Sequence, residues 1–160
     1  MLTEERVLFS PNLPAAINQL LQAAVAASHA DPTRAETLFL QAQALDNQCL
    51  QTYFALYKFY FHQKRLADAE RVVIAGLVES ARQGGFPCDH KHLVKASGEW
   101  DLYANETTLF YLYTLKALAF IKLRQGCGMD ARQLLADLKQ LDPKDLSGAS
   151  VIMDLAAGVA

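Results

Sequence analysis

The feature of this sequence that most limits its fold is an internal repeat. Residues 35–42 follow the pattern Ala-x3-Phe-x2-Ala, and residues 69–76 follow Ala-x3-Val-x2-Gly, so the pattern returns after 34 positions. A fixed period of this length is typical of repeat proteins in which each unit is one pair of helices. The small residues let the helices of a pair approach closely, and the large residue fills the space between pairs.

Two further matches extend the repeat. Before the second copy, Tyr53, Leu56 and Tyr60 hold the spacing expected of a first helix, although Tyr57 stands where glycine is usual. A third copy, Ala-x3-Leu-x2-Leu at residues 131–138, is closed by Leu-Asp-Pro at residues 141–143. Over residues 15–145 these motifs resemble the tetratricopeptide repeat (TPR) family, and in particular its small bacterial three-repeat proteins.

The resemblance implies an all-α fold, a TPR-like α-solenoid of three antiparallel helix pairs with a C-terminal capping helix. The pairs are expected at about residues 15–49, 50–82 and 110–145, and the capping helix at residues 146–160. The third copy is out of phase with the first two, which places an insertion at residues 83–109. We expect the 160 residues to form a single domain.

The composition excludes several classes of protein. With 52% hydrophobic residues, 20% charged residues and a net charge of −2, the chain is not of the disordered type and has no basic excess for nucleic acid. The most apolar stretch, residues 109–123, contains two lysines and is too short for a membrane span, so we interpret it as a core helix. Three widely spaced cysteines and an acidic N-terminus favour a cytoplasmic protein.

The insertion contains the one cluster of metal-ligand residue types, Cys88, His90 and His92. A closed zinc site needs four ligands, and this set is at least one short, so we predict no metal and no cofactor. A catalytic cysteine would need a positioned base, and Cys49 and Cys127 are expected to be packing residues at helix junctions. We predict that the protein is not an enzyme; the alternative is a metal- or thiol-dependent enzyme that uses residues 83–105.

The family resemblance implies that the first helix of each pair lines a concave groove that holds a partner segment. In the first pair the matching positions are Ile17, Leu20 and Ala24. The partner-binding residues predicted in the second and third pairs are Phe54, Lys58, Phe61, Tyr113, Lys116, Phe120 and Arg124. Aromatic anchors beside cations suit an amphipathic helix with acidic residues, although the three phenylalanines could instead pack in the core. The Lys/Asn carboxylate clamp of co-chaperone relatives is missing from the first pair.

The C-terminal helix carries an apolar stripe of Val151, Ile152, Leu155 and Val159. Exposed stripes of this kind usually mark contacts, so a homodimer through this helix is possible, and a purely structural homo-oligomer is a further alternative. The function expected from the resemblance is a non-catalytic protein-interaction scaffold, either an adaptor or a dedicated chaperone. Residues 53–70 and 113–126 are also similar to helper proteins of type III secretion and of nitrogen fixation. This similarity does not distinguish between the two systems.

Overall fold

The structure is a computed structural model. It describes residues 13–96 and 98–158, and the regular structure within these ranges is entirely helical, with eight helices. The helices are α1 (Ala15–Ala27), α2 (Pro32–Leu45), α3 (Leu50–His62), α4 (Leu66–Gly84), α5 (His90–Lys95), α6 (Glu106–Arg124), α7 (Gly128–Leu141) and α8 (Ala149–Gly158). The all-α prediction is confirmed, whereas the solenoid of three pairs stays a prediction. None of these helices is both long enough and apolar enough to cross a membrane.

Local capping explains where two of the helices begin. The Asp31 carboxylate accepts the backbone N–H of Arg34 (3.2 Å), and Pro32 is the first residue of α2, a position that proline favours. At the start of α6, the Asn105 side chain accepts the Thr108 N–H (3.0 Å) while the Thr108 hydroxyl accepts the Asn105 N–H (3.1 Å). Both devices satisfy N–H groups that the first turn of a helix leaves without an intrahelical partner.

The turns after α3 and α6 share one backbone geometry. Lys64 and Gly126 both have positive φ, 61° and 81° respectively. In each turn the following N–H bonds to the carbonyl five residues earlier, at 2.9 Å. This Schellman-type helix end favours glycine, because L side chains are strained in the left-handed region. Gly126 adopts this conformation at the end of α6, and Lys64 adopts it at the end of α3 without being glycine.

The chain divides into two compact units between Ala69 and Glu70, inside α4. In the first unit α1 packs against α2, and α3 packs against both. Its core includes Phe39 and Leu56, and the ring of Phe39 lies 5.2 Å from that of Phe59. The two small residues of the first repeat copy, at positions 35 and 42, are fully buried, as close helix packing requires.

A polar network on the first unit joins α2 to the end of α3. The Tyr60 hydroxyl donates to Glu36 (2.6 Å), and the Arg65 guanidinium donates to both oxygens of the same carboxylate (2.8 and 3.1 Å). These donors lower the pKa of Glu36, while burial and the bond to Glu36 raise the pKa of Tyr60 to about 12. The network fixes α3 against α2, because a bidentate guanidinium–carboxylate pair allows few orientations.

The second unit is built on α6 and α7, which pack against each other, and α8 packs against both. The repeat positions Ala131, Leu135 and Leu138 of α7 are buried at 3% exposure or less. The core positions predicted for the third copy are therefore confirmed as buried. On α6, Leu112 and Leu115 face the same core.

The insertion is a packed part of the second unit. Its short helix α5 lies against α7, and its Phe86 ring meets Tyr111 of α6 edge to face at 5.0 Å. The Tyr111 hydroxyl donates to the Cys88 carbonyl (2.7 Å), and His90 Nδ1 lies 2.7 Å from a carboxylate oxygen of Asp137. The segment also begins later than predicted, because α4 continues to Gly84. The insertion thus forms a covering layer on α6 and α7.

Candidate partner-binding surfaces

Three predicted groove residues lie on one side of α3. Phe54, Lys58 and Phe61 follow the spacing i, i+4, i+7, which brings side chains to one face of a helix. All three are half-buried. The Lys58 ammonium lies 5.1 Å from the centre of the Phe54 ring, and that ring meets the edge of buried Tyr57 at 5.6 Å. We call Phe54, Lys58 and Phe61 the α3 face.

Lys58 is held away from water without an acidic counterpart. Burial lowers the pKa of its ammonium. Among the described residues no carboxylate lies within salt-bridge distance of Lys58. The contact with Phe54 is a cation–π interaction, which recovers only part of the lost hydration. The α3 face therefore presents an apolar surface with one incompletely solvated positive charge.

Two histidines lie beside the α3 face at its C-terminal end. His62 is the last residue of α3, and its ring meets that of Phe61 at 5.9 Å. Burial, together with the charges of Lys58 and His29, lowers the pKa of His62. His29 belongs to the turn between α1 and α2, and the side-chain amide of Gln63 reaches this turn through a bond to a backbone carbonyl (3.5 Å). The end of α3 is thus a region of concentrated positive or potentially positive charge.

The four groove residues predicted on α6 form a second surface, which we call the α6 face. Tyr113 is 40% exposed, Lys116 and Phe120 are half-buried, and Arg124 is exposed. Lys116 lies 5.7 Å from the ring centre of Tyr113, and Arg124 lies 5.9 Å from that of Phe120. Burial lowers the pKa of Lys116, and nearby Asp145 offsets part of this effect. Each unit therefore carries a helix face on which cations cover aromatic rings.

The alternative that the three phenylalanines form the core receives little support from their burial. Phe54, Phe61 and Phe120 are only half-buried, whereas Tyr53 and Tyr60 of the same region of α3 are buried. The three rings lie at the margin of each core, where one side packs and the other is accessible. They can contribute to stability while part of each ring stays exposed.

The positions assigned to the first pair are partly misplaced. Ile17 and Ala24 are buried in the core of the first unit, and of the three assigned residues only Leu20 is half-exposed. Ile17 and Ala24 are seven residues apart and share a helix face with Leu21, which is also buried. That face packs inside the unit, so α1 contributes at most Leu20 to an accessible surface.

The C-terminal stripe is divided between the core and the surface. Val151 and Leu155 are exposed, at 61% and 47%, whereas Ile152 is buried at 8%. Adjacent positions on a helix point about 100° apart, so Ile152 faces the unit while Val151 does not. Val159 lies outside the described residues. An oligomer contact through Val151 and Leu155 stays a prediction, and Ile152 is not accessible for it.

Cys88, His90 and His92 have different surroundings in the folded chain. His90 bonds to Asp137, the ring of His92 lies 6.3 Å from that of Trp100, and Cys88 is exposed. Within residues 13–96 and 98–158, no three His, Cys, Asp or Glu side chains are close enough together to hold a metal ion. His90 has a structural contact with α7, which the sequence spacing alone did not indicate.

Comparison of the chain with protein-family models, curated proteins and solved structures found no match. The features described above are therefore the basis for an assignment of function.

Proposed function

We propose that the protein is a non-catalytic protein–protein interaction scaffold of the TPR type, an adaptor or dedicated chaperone acting in the cytoplasm. It binds a peptide segment or a helix of its partner. The contact residues are those of the α3 face in the first unit and of the α6 face in the second. Each face is a binding surface in its own right.

The main support for this proposal is the surroundings of three cations. Lys58, Lys116 and Arg124 each lie over an aromatic ring, and in the described part of the chain none of them forms a salt bridge. On the same helix as Lys116, by contrast, Lys122 lies 2.7 Å from Glu70. Each of the three face cations thus combines an aromatic contact with a charge that no described carboxylate neutralises in a salt bridge.

The chemistry of these faces specifies the partner. Half-buried aromatic rings provide the apolar area that anchors interfaces, and cations above them favour acidic groups on the incoming segment. An amphipathic helix with apolar and acidic residues on one side satisfies both requirements. A lone cation at the rim contributes mainly to the rate and specificity of association, so binding should weaken with salt.

Charge reversal tests the proposal. Lys58→Glu and Lys116→Glu place repulsion on the two faces, and Lys139→Glu makes the same charge change at an exposed position of α7. With the partner isolated from the native source and purified, we expect each face variant to weaken binding at least tenfold at low salt and the control to leave it unchanged. Circular dichroism must show normal folding of all three. Unchanged affinity in both face variants would reject the two faces as the binding site.

A further inference from the structure

Several basic side chains lie close together in the sequence and in the fold at the C-terminal end of α3. Lys58 and His62 are separated by one helical turn, about 6 Å along the axis, and therefore lie on the same side of α3. His29 lies in the turn between α1 and α2, whose Ser28 carbonyl accepts a hydrogen bond from the Gln63 side-chain amide at the end of α3 (3.5 Å). All three are basic side chains.

Within residues 13–69, the elements around this region carry few acids. Helix α1 contains no charged residue. On α2, Glu36 is committed to Tyr60 and Arg65, and the α3–α4 turn adds another cation, Lys64. The remaining base of α2, Arg34, is exposed.

The other carboxylates of the first unit are also engaged elsewhere. Asp31 and Asp46 accept backbone N–H groups at helix ends, and Asp68 pairs with Arg65 at 2.9 Å. Within the described residues of this unit, each carboxylate thus accepts a hydrogen bond from a local donor, whereas none lies within salt-bridge distance of Lys58. An external carboxylate at the end of α3 would meet Lys58 and His62.

We propose that Lys58, His62 and His29 receive an acidic side chain of the partner helix, and that His62 takes up a proton as this side chain binds. The inference rests on the proposed function, because the acidic side chain belongs to a segment that docks on the α3 face. It adds regulation to that function: the protein holds its partner more tightly as the pH falls from 8 to 6.

The spacing on α3 identifies the partner segment. Phe54 and Phe61 are seven residues apart, about 10 Å along the helix axis. A helix lying along the α3 face meets both rings with apolar residues that are themselves seven positions apart. An acidic residue between them, one turn from the second apolar residue, then faces Lys58 and His62. The acid must be a side-chain carboxylate within the partner helix. The helix has to continue in both directions from it in order to cover the rings of Phe54 and Phe61.

The direction of the pH effect follows from the state of His62 before and after binding. In the free protein, burial and the charges of Lys58 and His29 lower the pKa of His62, which favours its neutral imidazole. A carboxylate beside it favours the protonated form and raises that pKa. Because the complex binds the proton more tightly than the free protein, affinity increases as the pH falls through the pKa of the complex. Each unit of difference between the two pKa values corresponds to a tenfold change in affinity.

The test uses a synthetic helical peptide with two leucines seven residues apart and two glutamates between them. A twin peptide carries glutamine in place of both glutamates. Fluorescence anisotropy gives the dissociation constant of each at pH 8, 7 and 6, and NMR follows the titration of the His62 ring with and without peptide. We expect the glutamate peptide to bind at least about threefold more tightly at pH 6 than at pH 8, and the glutamine peptide to show no such change.

Variants assign the effect to residues. His62→Gln, a substitution at an exposed position, should remove the pH dependence of binding. Lys58→Met should weaken binding of the glutamate peptide more than binding of the glutamine peptide. If both peptides bind equally at every pH, the acidic site is rejected while the docking role of the α3 face stands. If neither peptide binds, both the acidic site and that docking role are rejected. A pH dependence that persists in His62→Gln also contradicts the proposal.

Discussion

Asp142 provides the sharpest test of how the second unit is held together. Its carboxylate is 4% exposed and accepts four hydrogen bonds: from the Tyr103 hydroxyl, from the N–H of Leu146 and from the N–H and hydroxyl of Ser147. One donor belongs to the insertion and the others to the segment that leads into α8. Burial alone would raise the pKa of Asp142, but the bonds from Ser147 and Tyr103 outweigh it and lower that pKa.

The perturbation is Asp142→Asn, which keeps the shape of the side chain and removes its charge. A hydrogen bond to a charged group contributes about 1.5–3 kcal/mol and a neutral one about 0.5–1.5 kcal/mol. Since the new amide group also faces donors, we expect a loss of about 2–3 kcal/mol in the free energy of unfolding. For a chain of this size that corresponds to a fall of about 4–10 °C in Tm.

Urea unfolding measures the loss, with circular dichroism following the helices and Trp100, the single tryptophan, reporting on the insertion. Asp154→Asn, an exposed position on α8, is the matched control. Because the pKa of Asp142 is lowered in the folded state, its contribution is fully present above the pKa of the unfolded chain and is lost as the pH falls through the folded pKa. In Asp142→Asn the free energy of unfolding should therefore fall less steeply as the pH is lowered. Equal stability of the two variants, within about 0.5 kcal/mol, would refute this reasoning.

Three other outcomes are expected. Lys64→Gly should stabilise the protein by about 0.5–1 kcal/mol in thermal unfolding, since glycine relieves the left-handed strain, whereas Gly126→Ala should destabilise it; the reverse signs would contradict the turn geometry. His90→Ala leaves the Asp137 carboxylate without this partner, so about 2 kcal/mol should be lost and amide exchange at residues 86–96 should accelerate; unchanged exchange would exclude the contact as an anchor. If α8 forms an oligomer contact, Leu155→Glu should yield a monomer by light scattering, and a wild type that is monomeric at high concentration would remove that idea.

The helices were predictable because their signals are local. The small residues at positions 35 and 131 recur at helical spacing beside large ones, and both are fully buried. Asp31 with Pro32 marks a helix start and Gly126 a helix end, and each needs only a few neighbouring residues to be recognised. Local rules of this kind assigned the residues to helices and identified most of the core positions.

The packing of the insertion was not predictable, because its contacts join residues that are distant in the sequence. Tyr103 reaches Asp142 across 39 positions, and His90 reaches Asp137 across 47. No spacing rule connects such pairs, and Cys88, His90 and His92 suggested a common site although they face different neighbours. One local motif marks a residue that contacts the insertion. It is the Leu-Asp-Pro at the end of the third copy, whose Asp142 accepts the hydrogen bond from Tyr103.

The faces of individual helices were predicted unevenly. The family resemblance assigned Phe54 and Lys58 to an accessible side of α3, and both are half-buried beside a buried side of tyrosines and leucine. It also assigned Ile17, and the apolar pattern assigned Ile152, to a surface, yet both are buried, because α1 and α8 have apolar residues on several sides and the pattern does not indicate which side packs. The charge cluster of His29 and His62 depends on a turn and a helix end that meet only in the folded unit.

Site-specific photo-crosslinking tests the central claim, that partners dock on the α3 and α6 faces. A photoreactive phenylalanine analogue replaces Phe54 or Tyr113, and the matched controls carry it at exposed Leu40 or Met129. After irradiation in extract of the native source, adducts are identified by mass spectrometry. The account predicts that a partner protein is cross-linked through the Phe54 or Tyr113 position, that its contact peptide carries acidic and apolar residues, and that Lys58→Glu or Lys116→Glu removes the adduct on the same face. Cross-linking of the partner at Leu40 or Met129, with none at Phe54 or Tyr113, would contradict it.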